Sequence, residues 1–172
     1  MTKEISCFKA YDVRGRIPSE LNEDVAYRIG AGVASYFGAE SVVVGYDVRP
    51  SSIDILNALT KGINSKGAKV YSIGLCGTEE IYFATNHLNT DAGVMITASH
   101  NPADYNGLKI VGKGAKPVSM DSGLDEIKNI AEASESKTDK EPVIEIIDVK
   151  NEYIDKLIQF IDPKKIKPMK IV

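Results

Sequence analysis

Three consecutive β-branched residues, Val42-Val43-Val44, stand between two segments of helical periodicity, and that arrangement constrains the fold more than any other feature of the chain. An unbroken apolar run of this kind reads as a strand buried on both faces. Ahead of it, Asn22 can cap a helix whose apolar positions Val25, Ile29, Val33 and Tyr36/Phe37 recur at helical spacing until Gly38. Behind it, after the loop Asp47-Val48-Arg49-Pro50, Leu56, Leu59 and Ile63 mark a second helix that ends at Gly67. Further along, 69–73 reads as a strand, 79–88 as a helix and 92–97 as a strand. Turn residues fill 99–107, extended structure resumes at 108–111, and Leu124, Ile127 and Ala131 mark a fourth helix. Strands joined through crossover helices imply a largely parallel sheet covered on both faces, so the expected fold class is α/β.

The 172 residues are enough for one domain of ordinary size with a fragment of a second. A formal charge of −3 gives no reason to expect nucleic acid or a membrane surface as partner. No apolar run approaches the ~20 residues of a spanning helix, and the start MTKEISCFKAYD lacks a secretory stretch, so a cytoplasmic location is expected. Cys7 and Cys76 make neither a zinc set nor a disulfide framework and read as reduced thiols. Residues 121–155 carry 4 basic and 11 acidic side chains without clustered aromatics, the pattern of a solvated face. Tyr153, Ile154, Leu157 and Ile161 then mark an amphipathic helix, 162–168 a linker, and 169–172 a strand that opens without a successor. The expected organisation is one domain over 1–149, then a connecting helix, linker and first strand of a second domain over 150–172.

Thr97-Ala98-Ser99-His100-Asn101-Pro102 and the residues up to Lys109 carry the chemistry. A strand delivers Ser99 into a loop at the carboxyl end of a parallel sheet, where open α/β folds place their ligands. The turn dipeptides Asn101-Pro102 and Asn106-Gly107 can fold the loop back and bring Lys109 near Ser99. A hydroxyl beside the imidazole of His100 and an amine can attack an acyl carbon or carry a phosphoryl group. Acyl transfer fits poorly, because the serine is not in a G-x-S-x-G elbow and a sequence neighbour is rarely the base of a triad. Phosphoryl transfer asks for positive charge, which Lys109, Arg14, Arg16 and Arg49 can supply, and for a metal. The G-x-x-x-x-G-K-[ST] nucleotide loop is absent, so ATP is not the indicated donor. A plain turn serine remains the alternative on spacing alone.

TASHNPADYNGLK closely resembles the phosphoserine loop of the α-D-phosphohexomutases, which move phosphate between the 1- and 6-positions of a hexose. FKAYDVRG at 8–15, ELNEDVAYRIG at 20–30 and VVVGYDVRPSS at 42–52 are similar to the same family's amino-terminal domain, in the same order. GLCGTEEIYFAT at 74–85 resembles the bacterial phosphomannomutases of GDP-mannose and surface-polysaccharide synthesis. The resemblance implies a three-layer α/β/α sandwich with a mixed, largely parallel sheet. It also implies a chain that holds only the first of four domains, inactive alone and completed by the remaining domains of the same polypeptide.

By the same resemblance, Ser99 carries the phosphate and passes it to a hexose phosphate, giving a hexose 1,6-bisphosphate that turns over and returns its other phosphate. Mannose 6-phosphate and mannose 1-phosphate are the implied substrates. Phosphoglucomutase and phosphoglucosamine mutase domains, or a non-catalytic sugar-phosphate-binding module, are the alternatives. Lys109 matches an acid/base lysine, His100 a catalytic neighbour, and Tyr11, Arg14, Asn101 and Arg49 residues that bind phosphate or substrate. Mg²⁺ is the implied cofactor, held mainly by aspartates outside this chain, with Ser99 contributing a ligand through its phosphate. An Asp12–Arg49 ion pair is expected near the loop. Gly107 is expected to serve backbone geometry. Tyr46 stands where family members often have arginine, and His87 and Cys76 are read as structural.

Overall fold

The computed structural model describes residues 4–136 and 140–170. Seven strands form one sheet: β1 (Val13–Arg16), β2 (Ser41–Tyr46), β3 (Lys69–Leu75), β4 (Ala92–Ile96), β5 (Tyr105–Gly112), β6 (Lys116–Pro117) and β7 (Ile144–Ile146). Among the described residues five α-helices accompany them: α1 (Glu23–Phe37), α2 (Ser52–Asn64), α3 (Thr78–His87), α4 (Leu124–Ala133) and α5 (Lys150–Ile158). The strand order is β1-β5-β4-β2-β3-β7, with β6 paired to β5. The sheet is mixed. β4, β2, β3 and β7 run parallel, while β5 is antiparallel to β4, β1 and β6. Helices α1, α2 and α4 pack together on one face, and α3, which meets α5, covers the other. The expected α/β/α sandwich is the observed architecture.

The valine run performs as its chemistry requires. Val42 and Val44 enter the large core under α1 and α2, while Val43 joins the smaller cluster under α3. Period-two alternation therefore buries the strand from both sides. In β4, Val94 and Ile96 point to the first core and Met95 to a third cluster with Ile81 and Val111. The Asn22 side chain accepts from the Val25 amide, and Gly38 closes α1 in the left-handed region at φ +54° with its N–H on Ala34 and Ser35 carbonyls. Cys7 is buried and Cys76 sits 3.8 Å from the Met95 sulfur; burial pushes their thiols up to about 11 and about 12. Both stay protonated at neutral pH, in keeping with structural roles. His87 stacks on Phe83, which also meets Tyr153 of α5.

Several elements differ from the sequence expectation. Asn106-Gly107, read as a turn, lies inside β5, opposite Gly15 and Arg14 of β1. The turn preference is overridden because Asn106 is fully buried, donating to Ser51 and Ser52 and accepting from the Gly107 amide. The loop after β4 is therefore shorter and runs from Thr97 to Asp104. β1, β6 and β7 are additional strands. The helix near the carboxyl end stops at Ile158, and 163–165 form a single 3₁₀ turn within the expected linker. Of the expected strand at 169–172, Ile171 and Val172 lie outside the described residues, and Met169 and Lys170 have no regular structure. No helix among the described residues is long and apolar enough to cross a membrane.

Candidate functional site

Parallel pairing of β2 with β4 puts the two loops that leave their carboxyl ends side by side. The Asp47 N–H bonds to the Ile96 carbonyl at 3.0 Å, so the ladder runs one residue past the strands before the loops diverge. Thr97 then turns its hydroxyl onto Asp47 Oδ2 at 2.7 Å and accepts the Ser99 N–H at 2.9 Å. Ser99 itself has φ +53°, the left-handed region, which costs a non-glycine residue about 1 kcal/mol. Its side chain is exposed and its hydroxyl makes no hydrogen bond to the described residues. A hydroxyl without a hydrogen bond to the described residues is thus presented on a backbone that is held.

Arg49 holds that backbone. Its Nη1 donates to the carbonyls of Pro102 (2.7 Å) and Tyr105 (2.9 Å), and its Nη2 to those of Ser99 (2.8 Å) and Asn101 (2.7 Å). Nε donates to Asp47 Oδ2 at 3.2 Å. All five guanidinium N–H groups are engaged. The phosphate contact expected of Arg49 therefore has no donor to rest on, and the residue is a brace for the loop. The expected Asp12–Arg49 pair is absent as well: Arg49 pairs with Asp47, two residues away on its own loop, and Asp12 with Arg14 and Lys109. An open cleft of about 380 Å³ lies on this side of the loop, lined by Val48, Pro50, Asn101 and Ala103 together with Ser99 and the Asp47–Arg49 pair. With its one cation already saturated, the cleft offers little to an anion.

The other side of the loop carries the available charge. β1 pairs with β5, which places Arg14 beside Gly107 and brings its guanidinium to the loop. Arg14 Nη1 donates to Asn101 Oδ1 at 2.6 Å and Nη2 to Asp12 Oδ2 at 2.6 Å. Its Nε is buried and has no partner among the described residues. Lys109, in β5, places its ammonium 3.5 Å from the same Asp12 oxygen. Two cations thus share one carboxylate, and the cluster keeps a net positive charge. Arg16 is turned away, paired with Asp104 at 3.1 Å and lying over the Tyr105 ring.

Ser99, Asn101, Arg14 and Lys109 are therefore gathered around one end of the sheet. Tyr11, next to Asp12, is 76% exposed and its side chain makes no hydrogen bond to the described residues. His100 is exposed at the loop tip, likewise without a side-chain hydrogen bond there. Sequence reasoning missed Asp47, Thr97, Ser52 and Asn106, which build the floor of the loop. The available signal was a short-range one, a threonine two residues before Ser99 and an Asp-x-Arg placed just before a Ser-Ser helix start. No three His, Cys, Asp or Glu side chains among the described residues gather into a set able to hold a metal ion. Asp12 and Asp47 are both committed to cations or hydroxyls, so these residues do not by themselves fit Mg²⁺.

Comparison with known proteins agrees with the architecture. Residues 6–138 match the phosphoglucomutase/phosphomannomutase alpha/beta/alpha domain I family. The chain is 48% identical over 176 residues to a phosphomannomutase of Vibrio cholerae and 45% identical over 177 residues to one of Escherichia coli. In each case 99% of this chain is covered but only 38% of the relative, so the chain spans well under half the length of these relatives. The crystal structure of a phosphoglucomutase/phosphomannomutase family protein from Burkholderia thailandensis superposes with a TM-score of 0.78 at 32% identity, covering 94% of this chain and 37% of that one. The family match over residues 6–138, with the identity to these relatives along nearly the whole chain, shows that this chain belongs to the phosphoglucomutase/phosphomannomutase family, whose alpha/beta/alpha domain I it contains.

Proposed function

We propose that Ser99 is the covalent phosphoryl carrier of a phosphomannomutase, completed by further domains of a longer chain, and that residues 1–172 alone turn nothing over. The phosphoserine gives its PO₃ to the free hydroxyl of mannose 6-phosphate or mannose 1-phosphate, and the P–O bond to Ser99 breaks as the bond to the sugar oxygen forms. The hydroxyl proton leaves the sugar and Ser99 Oγ regains one on release. The hexose 1,6-bisphosphate turns in the site and returns its other phosphate to Ser99. Phosphate monoesters are inert in water, so the phosphoserine persists until substrate is aligned.

The observation that carries the reading is the pairing of a free hydroxyl with an unsatisfied cation. Among the described residues Ser99 Oγ has no hydrogen-bond partner, while Arg14, held to the same loop through Asn101, keeps one buried N–H unused. A phosphoryl oxygen satisfies such a donor, and a guanidinium suits phosphate because its fork offers paired N–H groups. Lys109 is proposed to donate and accept the proton during transfer, with Asp12 fixing its ammonium. Mg²⁺, where present, is proposed to be held mainly by carboxylates outside this chain and supplies charge neutralisation at the phosphoryl group. Incubating the complete enzyme with a hexose 1,6-bisphosphate should add about 80 Da to the peptide containing Ser99. No added mass at that residue under turnover removes the mechanism.

Lys109→Ala tests the acid/base assignment. The expected result is a fall in kcat of about 10²- to 10⁴-fold with KM within a few-fold of wild type, the scale of a lost proton-transfer group. A change confined to KM reassigns Lys109 to binding.

A further inference from the structure

We propose that Asp47 is the positioning residue that fixes Ser99 in its left-handed conformation, through a closed ring of hydrogen bonds around the serine backbone. The inference rests on the reading of Ser99 as phosphoryl carrier. The ring runs from the Ser99 N–H to Thr97 Oγ1 (2.9 Å), from that hydroxyl to Asp47 Oδ2 (2.7 Å), and to the same oxygen from Arg49 Nε (3.2 Å). It closes through Arg49 Nη2 onto the Ser99 carbonyl at 2.8 Å. Both peptide groups that flank the Ser99 Cα are thereby held, one by a hydroxyl and one by a guanidinium, and both holders end on one carboxylate.

Asp47 has no spare capacity for any other duty. Its Oδ1 accepts from the Arg49 amide (3.1 Å) and the Ser52 hydroxyl (3.0 Å), and Oδ2 from Thr97 and Arg49 Nε. Four accepted bonds fill a carboxylate, which leaves nothing for a metal ion or a transferred proton. The arrangement also demands a carboxylate. An asparagine offers one acceptor oxygen, and its NH₂ would face two donors, breaking either the Ser52 or the Thr97 side of the ring. Ser52 starts α2 and is itself joined to Asn106 of β5 at 3.2 Å, so the ring is anchored in the rigid body of the domain rather than in the loop. A serine in the left-handed region relaxes to other basins unless its surroundings over-determine it. Four carbonyls held by Arg49 and one amide held by Thr97 are that over-determination, and they aim the hydroxyl without touching it. A misplacement of about 1 Å in a reacting atom costs on the order of 10²-fold in rate.

The test separates the ring from the chemistry. In the 172-residue chain, amide hydrogen exchange and the Ser99 HN–Hα nuclear Overhauser effect, strong only at positive φ, are measured for wild type, Thr97→Val, Thr97→Ser and Asp47→Asn. Thr97→Val is expected to raise exchange at Ser99 by about tenfold or more, the scale of a lost hydrogen bond, and to weaken the Overhauser effect, while Val94 and Ile96 stay protected. Thr97→Ser, which keeps the hydroxyl, is expected to restore most of both signals. In the complete enzyme, Thr97→Val and Asp47→Asn are expected to lower kcat by about 10- to 100-fold with little change in KM. Unchanged Ser99 exchange and Overhauser effect in Thr97→Val overturn the proposal, as does a loss of protection spread equally through β4. Should Asp47→Asn fail to fold, Thr97→Val alone decides. Should wild-type Ser99 take up no phosphate, the carrier reading fails, while the backbone measurements still judge the ring.

Discussion

Replacing Ser99 with alanine in the complete enzyme is expected to lower mutase turnover by about 10⁴- to 10⁶-fold while leaving the fold intact, because on the proposed mechanism the change deletes the covalent carrier and nothing that holds the chain together. The Ser99 side chain is exposed and its hydroxyl bonds to no described residue, whereas everything that ties the residue down is backbone. Alanine keeps those backbone bonds and the left-handed conformation at nearly the same cost. The melting temperature should therefore stay within about 2 °C of wild type, the shift expected for a surface change of ~0.5 kcal/mol in a domain of this size. Ser99→Gly sharpens the comparison. It relieves the conformational strain at φ +53° and should match or exceed wild-type stability, yet be as inactive as the alanine variant. Near-normal turnover by either variant would mean that the hydroxyl is incidental and that phosphate passes between the sugar oxygens by another route.

The contrast between Ser99 and its supports also shows which features a sequence exposes. Local chemistry was legible: the Asn22 cap, the Gly38 terminus and the doubly buried valine run each depend on residues within a few positions of one another, and each is realised. The serine loop stood out for the same reason. What stayed hidden was pairing across long separations. Arg49 reads as one more cation for phosphate until the loop some fifty residues away is folded against it, when four carbonyls take up its donors. Thr97 reads as a strand end until Asp47 arrives from β2. β1 escapes notice because Val13-Arg14-Gly15-Arg16 is half charged and becomes a strand only through β5, and β7 is three residues at the sheet edge. Asn106-Gly107 misleads in the opposite sense, since burial and two serine hydroxyls outweigh a local turn preference.

Gly107 is where the fold and the site are most tightly joined, and Gly107→Ala is expected to damage both. A Cβ there would overlap the Val13 carbonyl oxygen of β1 and stand 2.8 Å from the Thr97 carbonyl oxygen at the end of β4. Both obstacles are backbone, so no rotamer change relieves them and strands on either side of β5 must move. Overpacking of this kind costs about 3 kcal/mol, or a fall of about 6–12 °C in melting temperature. Gly38→Ala provides the comparison: its φ of +54° is unfavourable for alanine, but nothing lies within 4 Å of the added carbon, so about 1 kcal/mol and 2–4 °C are expected. The displaced atoms are also the ones that place the chemistry. Moving Val13 shifts Arg14, the next residue, and with it the contact to Asn101, while moving Thr97 opens the ring around Ser99. Phosphate uptake at Ser99 should therefore fall in Gly107→Ala even at temperatures where the protein remains folded, and stay near wild type in Gly38→Ala. A Gly107→Ala protein as stable as Gly38→Ala and equally phosphorylated would mean that β5 has slack beside Gly107 that the packing of β1 and β4 does not provide.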